Sequence, residues 1–161
     1  MNVLDFAINM ELDGEKYYKE QSEIAQDISL KKIFLILAED ENSHAKLLQH
    51  KSNNMSYELK GTETISETKN LFNEIKDFKN ELKQNPDQLD LYRVALEKEK
   101  ESIDLYEKLL SQSEDDKSIN LFKFLIAQEK DHYTTLEELV SQLNKCNDWV
   151  EAAEFGIRVE Y

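Results

Sequence analysis

The 161-residue chain is long enough for one compact domain, and its 40% hydrophobic and 34% charged residues suit a polar globular protein rather than a disordered one. With 34 acidic against 20 basic residues and a net charge of −14, it is a poor partner for nucleic acid or an anionic membrane, both of which attract cations. Three Gly and one Pro are too few for the tight turns of a β-sandwich or barrel, and favour a few long helices.

The chain opens Met1-Asn2-Val3-Leu4-Asp5, which is not a basic segment followed by an apolar one, so no signal peptide is expected. No apolar run approaches the roughly 20 residues of a membrane helix. The single Cys146 excludes an internal disulfide framework and a four-cysteine metal site. A cytoplasmic protein is expected. Its acidity serves either solubility or the binding of cations, and composition does not choose between them.

Residues 2 to 26 repeat apolar groups at helical spacing (Leu4, Ala7, Ile8, Tyr18, Ala25). Ser29 is a fitting N-cap for a second helix over 30 to 54, which carries Ile33, Phe34, Leu37, Leu47 and Leu48. So short a link makes these two helices antiparallel. Residues 53 to 65 are polar and read as a connection. Leu71, Phe72, Ile75, Phe78 and Leu82 predict a thinner helix over 66 to 84. Asn85 as N-cap with Pro86 at the first helical position predicts a helix over 87 to 111. The turn Ser111-Gln112-Ser113-Glu114-Asp115-Asp116 leads to a last long helix over 116 to 146. In the tail, Asp148 and Glu151 form a capping box for a short helix stopped by Gly156. A tail holding Trp149, the only Trp, is expected to dock on the bundle or on a second subunit. The organisation is thus a bundle over 1–146, with a crossover over 55–86, and a docking tail over 147–161.

The two halves superpose without a gap at an offset of 88 residues. Ala7 falls on Ala95, Glu11 on Glu99, Tyr18 on Tyr106, Phe34 on Phe122, Leu37 on Leu125, Glu41 on Glu129, His44 on His132 and Leu48 on Leu136. These matches trace seams with alternating spacings of three and four. Positions 4, 7, 11, 14 and 18 read Leu, Ala, Glu, Gly, Tyr, and positions 34, 37, 41, 44 and 48 read Phe, Leu, Glu, His, Leu. Such seams face the middle of a bundle. Four Glu and two His therefore occupy core positions, and no Lys or Arg shares those seams.

A buried, unpaired carboxylate costs several kcal/mol, and four together repel one another. Two divalent cations would balance four carboxylates, with the two His as neutral nitrogen ligands. A Glu and a His at i and i+3 project from one helix face, so each pair can share an ion. Singly, each of these residues reads otherwise: a helical Glu is usually solvated, and Tyr18 and Tyr106 are core fillers with a satisfied hydroxyl. The repeat argues for a site made of all six. His50, whose repeat mate is Glu138, reads as a surface residue.

One Glu followed by Glu-x-x-His, then the same again, resembles the ferritin-like di-metal carboxylate proteins, whose fold is an antiparallel four-helix bundle. The strings Ala7-Ile8-Asn9-Met10-Glu11-Leu12-Asp13-Gly14-Glu15-Lys16-Tyr17-Tyr18 and Leu37-Ala38-Glu39-Asp40-Glu41-Asn42-Ser43-His44 are similar to the rubrerythrin branch. The resemblance covers roughly residues 2 to 146 and implies an all-α bundle whose crossover between the second and third helices runs its length. It implies Glu11 and Glu99 as terminal or bridging ligands, and Glu41 and Glu129 as bridges between two metals. His44 and His132 would each complete one metal, and Tyr18 and Tyr106 would donate hydrogen bonds to ligand carboxylates. The implied cofactor is a pair of iron ions per chain, with manganese fitting the same ligand types. Two ferrous ions roughly 3.5–4 Å apart would reduce hydrogen peroxide or dioxygen, and small residues at Gly14 and Ser102 would leave space for a diatomic molecule.

The chain departs from that pattern in three ways. Rubrerythrins usually carry a four-cysteine rubredoxin domain, and this chain has one Cys, so the electrons are expected from an external donor such as rubredoxin. Typical rubrerythrins have a further Glu three residues after the third-helix ligand. Here Ser102 stands there, which puts the carboxylate-for-histidine exchange of that group in question. The tail is short for the fifth helix of cage ferritins, so no storage shell is expected. A homodimer is expected from the family and from an outward apolar side at Phe72, Phe78 and the Trp149 tail. Ferrous iron oxidation and handling is a second reading, and a metal-stabilised interaction module without turnover is a third.

Overall fold

The computed structural model describes the backbone of residues 2–156 and the side chains of residues 2–146. The described residues form six helices and no strands: α1 (Val3–Ile24), α2 (Ile28–Ser52), α3 (Thr64–Glu74), α4 (Phe78–Gln84), α5 (Gln88–Ser111) and α6 (Asp116–Gly156). No helix among the described residues is long and apolar enough to cross a membrane.

Four long helices make the bundle as two hairpins, α1 with α2 and α5 with α6. The first link is only Ala25, Gln26 and Asp27. The N-cap of α2 is Asp27 rather than Ser29, since the Asp27 carboxylate accepts the amides of Ser29 at 2.8 Å and Leu30 at 3.1 Å. Both residues are good caps, and the one placed first takes the role. At the second link, Asp115 accepts the Ser118 amide at 2.9 Å and opens α6.

The crossover carries two short helices where the sequence predicted one over 66–84. The helix breaks at Ile75, and Asp77 caps a new one by accepting the Asn80 amide at 2.9 Å. α3 packs on α2 and α6, and α4 on α6, so the crossover covers the outside of the bundle. Glu81 of α4 is buried and accepts the Asp27 amide, which ties the crossover to the first link. Asn85 does not cap α5. The helix opens at Gln88 after a turn closed by the Gln88 amide on the Asn85 carbonyl at 3.1 Å.

Phe72 and Phe78 are partly buried against the core and form no outward apolar side. Exposed large apolar residues lie elsewhere, among them Phe6, Ile28, Leu35 and Val94. α6 runs unbroken through Asp148 to Gly156, so no separate short helix begins in the tail. Docking of Trp149 lies outside the described side chains.

The core divides into two apolar clusters. One holds Tyr18, Leu30, Ile33, Phe34, Leu37, Tyr92, Leu136, Leu139 and Leu143. The other holds Ala7, Leu48, Tyr106, Leu121, Phe122 and Leu125. Repeat mates fall in opposite clusters: Tyr18 and Tyr106, Phe34 and Phe122, Leu37 and Leu125, Leu136 and Leu48. The hairpins are thus related by a pseudo-twofold axis across the bundle, and the polar residues of the seams lie between the clusters.

Candidate metal centre

Each long helix brings one carboxylate to this polar layer, Glu11 from α1, Glu41 from α2, Glu99 from α5 and Glu129 from α6, and α2 and α6 each add a histidine. The structure brings together all six residues singled out in the sequence. Glu11, Glu129 and His132 are 0% exposed, His44 1%, and Glu41 and Glu99 4%. They form two overlapping groups: Glu11, Glu41, His44 and Glu129, and Glu41, Glu99, Glu129 and His132. Within each group one ligand atom per residue lies within 4.8 Å of the others. Glu41 and Glu129 belong to both groups, as carboxylates shared between two ions must.

The shorter histidine contacts cross between the hairpins, and the longer ones stay within each. His44 Nδ1 lies 2.9 Å from Glu129 Oε1 and 3.4 Å from Glu11 Oε2. His132 Nδ1 lies 2.8 Å from Glu41 Oε1 and 3.5 Å from Glu99 Oε1. Tyr18 donates its hydroxyl to Glu99 Oε1, and Tyr106 donates to Glu11 Oε1 at 2.5 Å. Burial, followed by the charges of Glu99 on Tyr18 and of Glu11 on Tyr106, raises both phenols well above their ordinary value, so they remain donors.

The outward nitrogens of the histidines are held by residues that sequence reasoning missed. His132 Nε2 donates to Asp40 Oδ2 at 2.9 Å, and His44 Nε2 donates to Gln128 Oε1 at 3.1 Å. A ring held at Nε2 turns Nδ1 to the carboxylates, where a neutral ring offers its lone pair to a metal ion. Burial raises the Asp40 carboxyl, but the hydrogen bond and charge of His132 outweigh it and hold the group below the usual range. The sequence carried no clear signal for them: Asp40 and Gln128 stand 88 apart, but their residue types differ and they lie off the seam, one residue before Glu41 and Glu129.

Without metal, the layer spreads protons unevenly. Burial pushes Glu11 up, but the charge of His44 and the close polar groups of Glu41, His44 and Glu129 pull it down to about 2. Glu99 is also lowered: burial opposes this, and the close polar groups of Glu129 and His132 together with the charge of His132 win. Burial and then the charges of Glu11 and Glu99 raise Glu41 well above the carboxylate range, and Glu129 rises likewise through burial and the charges of Glu11, Glu41 and Glu99. Burial works against the charged form of His132, yet its hydrogen bonds to Asp40 and Glu99 raise it well above its ordinary value.

The test of fit is in the oxygens. Glu11 Oε2, Glu99 Oε2 and Glu129 Oε2 are buried and have no hydrogen-bond partner. Three such orphans in one layer are costly unless a cation completes them. In Glu11 and Glu99 the tyrosine occupies one oxygen and leaves the other free. Four carboxylates with two imidazoles form a hard, oxygen-rich donor set suited to iron or manganese. The residues fit a pair of metal ions.

Gly14 does not leave an open space. A Cβ there would stand 3.1 Å from Glu41 Oε2, so the missing side chain admits that carboxylate. Ser102 donates instead to the Lys98 carbonyl at 3.1 Å and to Met10 Sδ at 3.4 Å.

The rubrerythrin family model matches residues 2–140. The chain belongs to the rubrerythrin family. The rubrerythrin match spans both hairpins and the crossover, and includes all six site residues. It implies an iron-binding protein, and the buried Glu and His groups are able to hold metal. A solved structure of a hypothetical protein from Pyrococcus furiosus shares the fold, with a TM-score of 0.64 and 21% identity over 91% of this chain and 89% of that one. A search of curated proteins finds no match.

Proposed function

We propose that this rubrerythrin-family protein is a di-iron oxidoreductase that reduces hydrogen peroxide, or dioxygen, with electrons from an external donor such as rubredoxin. The supporting observation is the layer of three orphaned carboxylate oxygens and two inward-facing imidazole nitrogens in an otherwise apolar core. When bound, two ferrous ions supply one electron each, enough with two protons to turn one hydrogen peroxide into two waters.

The chain's residues hold and tune that pair. Glu11 with His44, and Glu99 with His132, would each belong to one ion, and Glu41 and Glu129 would bridge both. Tyr18 and Tyr106 fix the two terminal carboxylates through one oxygen each. Asp40 and Gln128 hold the imidazoles by their outer nitrogens. The apolar clusters on either side lower the local dielectric, which strengthens charge interactions within the layer. The proposal includes a homodimer, for which exposed Phe6, Leu35 and Val94 are available.

The test is anaerobic reconstitution with ferrous ion, followed by peroxide, beside a Glu41→Ala/Glu129→Ala double variant. Two irons per chain, oxidised rapidly and returned to ferrous by reduced rubredoxin over repeated cycles, are expected for the native chain and not for the variant. Tight metal binding without oxidation would refute the redox reading. Oxidation followed by iron loss, with no turnover, would favour iron handling.

A further inference from the structure

The two halves of the layer match in their inward atoms and differ behind them. Asp40 and Gln128 are repeat mates, both buried, and each holds the outer nitrogen of the other half's histidine. One is a carboxylate and the other a neutral amide. The Asp40 carboxylate is closed over by the crossover: Thr64, 2% exposed, donates to Asp40 Oδ2 at 2.5 Å. Gln128 instead meets the exposed Thr62 at 3.3 Å. Gln128 and His44 line a cleft of about 490 Å³ that also meets Lys46, His50, Tyr57 and Lys60. Asp40 and His132 do not line it.

We propose that the two metal positions are unequal: the ion on His132 is retained, and the ion on His44 is the exchangeable one, entering and leaving through the cleft beside Gln128. This rests on the di-metal reading above. An imidazole that donates to a carboxylate is a more basic ligand than one that donates to an amide, and such outer partners alter metal affinity by about 10- to 100-fold. Asp40 also adds a negative charge behind His132 with no counterpart behind His44. Affinity and access therefore point the same way. Asp40 and Gln128 are positioning residues, acting on the ions through the two rings.

The test titrates the metal-free full chain with cobalt(II), read by its visible absorption, and follows removal by a chelator. Two steps separated by at least about tenfold are expected, with one ion stripped quickly and the other slowly. Crystals grown with one equivalent should show anomalous scattering beside His132. Asp40→Asn keeps the shape and removes the charge, and should weaken the first step by about 10- to 100-fold until the two steps merge. Gln128→Glu, the converse change, should tighten the second step and narrow the gap from the other side. A merely structural role for Asp40 would lower the melting temperature of the metal-free chain and leave the two steps apart. That result, equal sites in the native chain, or first occupancy beside His44 would overturn the inference while leaving the di-metal reading intact. Absence of cobalt binding would overturn both.

Discussion

Gly14→Ala separates the stability of the bundle from the fitness of its centre. Gly14 lies inside α1, where Ala is the better helix former by about 1 kcal/mol. The added Cβ would stand 3.1 Å from Glu41 Oε2 and 3.3 Å from its Cδ, inside the roughly 3.5–4.0 Å of comfortable contact, so the carboxylate must retreat by a few tenths of an ångström. In the metal-free chain this is the free end of a flexible side chain, and the helical gain survives. For a domain of this size that gain raises Tm by about 2–4 °C. With metal the same retreat is costly, because Glu41 belongs to both groups. A tenfold loss of affinity, about 1.4 kcal/mol, is expected. Calorimetric melting of the metal-free variant and a cobalt titration measure the two effects separately. Unchanged affinity would refute the idea that Gly14 makes room for Glu41. A lower metal-free Tm would show that the carboxylate has nowhere to go.

Tyr106→Phe removes the donor to Glu11 Oε1 and leaves a buried charged oxygen unpaired. A loss of about 1.5–3 kcal/mol is expected in urea unfolding of the metal-free chain, and a loss below about 0.5 kcal/mol would show that the hydroxyl does not support Glu11. The pH dependence of the metal-free chain follows from Glu41, Glu129 and His132, all raised in the fold. The stability that protonated His132 contributes is fully present below its ordinary value and is lost as pH rises through the folded one. Glu41 and Glu129 lose their protons at about pH 4.5 when unfolded and keep them when folded, so they too weaken the fold as pH rises. Glu11 and Glu99 are lowered and act in the opposite sense, in the acid range, down to about pH 2 for Glu11. Tm of the metal-free chain should therefore fall between about pH 5 and pH 8. Metal binding should release up to three protons, one from each raised group, measured by calorimetry in buffers of different ionisation heat. Glu129→Gln should reduce that count by one, and an unchanged count would refute the assignment.

The bundle and its inward residues were legible because a seam of alternating three and four admits only one inward face, and the repeat marked that face twice. Asp40 and Gln128 were not, since both lie off the seam, where Asp and Gln are usually solvated. They are buried because other parts of the chain cover them, with Thr64 of α3 over Asp40 and Thr62 of the crossover beside Gln128. A helical pattern shows which face looks inward and is silent on which outer face a crossover will cover. The crossed pairing of Tyr18 with Glu99 and Tyr106 with Glu11 was hidden for a related reason: periodicity places a residue on its own helix, not against its partner. Local capping was misread where two good candidates stood close together, as at Asp27 and Ser29.

The crossed contacts have a consequence for how such a centre can be assembled. Each hairpin leans on the other for its ligands: the tyrosine of each steadies a carboxylate of the other, and the outer nitrogen of each histidine is held from across the axis. A chain of half this length would find no centre within itself, yet two copies of it, side by side, would offer each other every one of those contacts. Joining the copies through the crossover removes the dependence on concentration. It also releases the copies from having to be identical, and the buried pair at positions 40 and 128 is where that freedom has reached the edge of the centre.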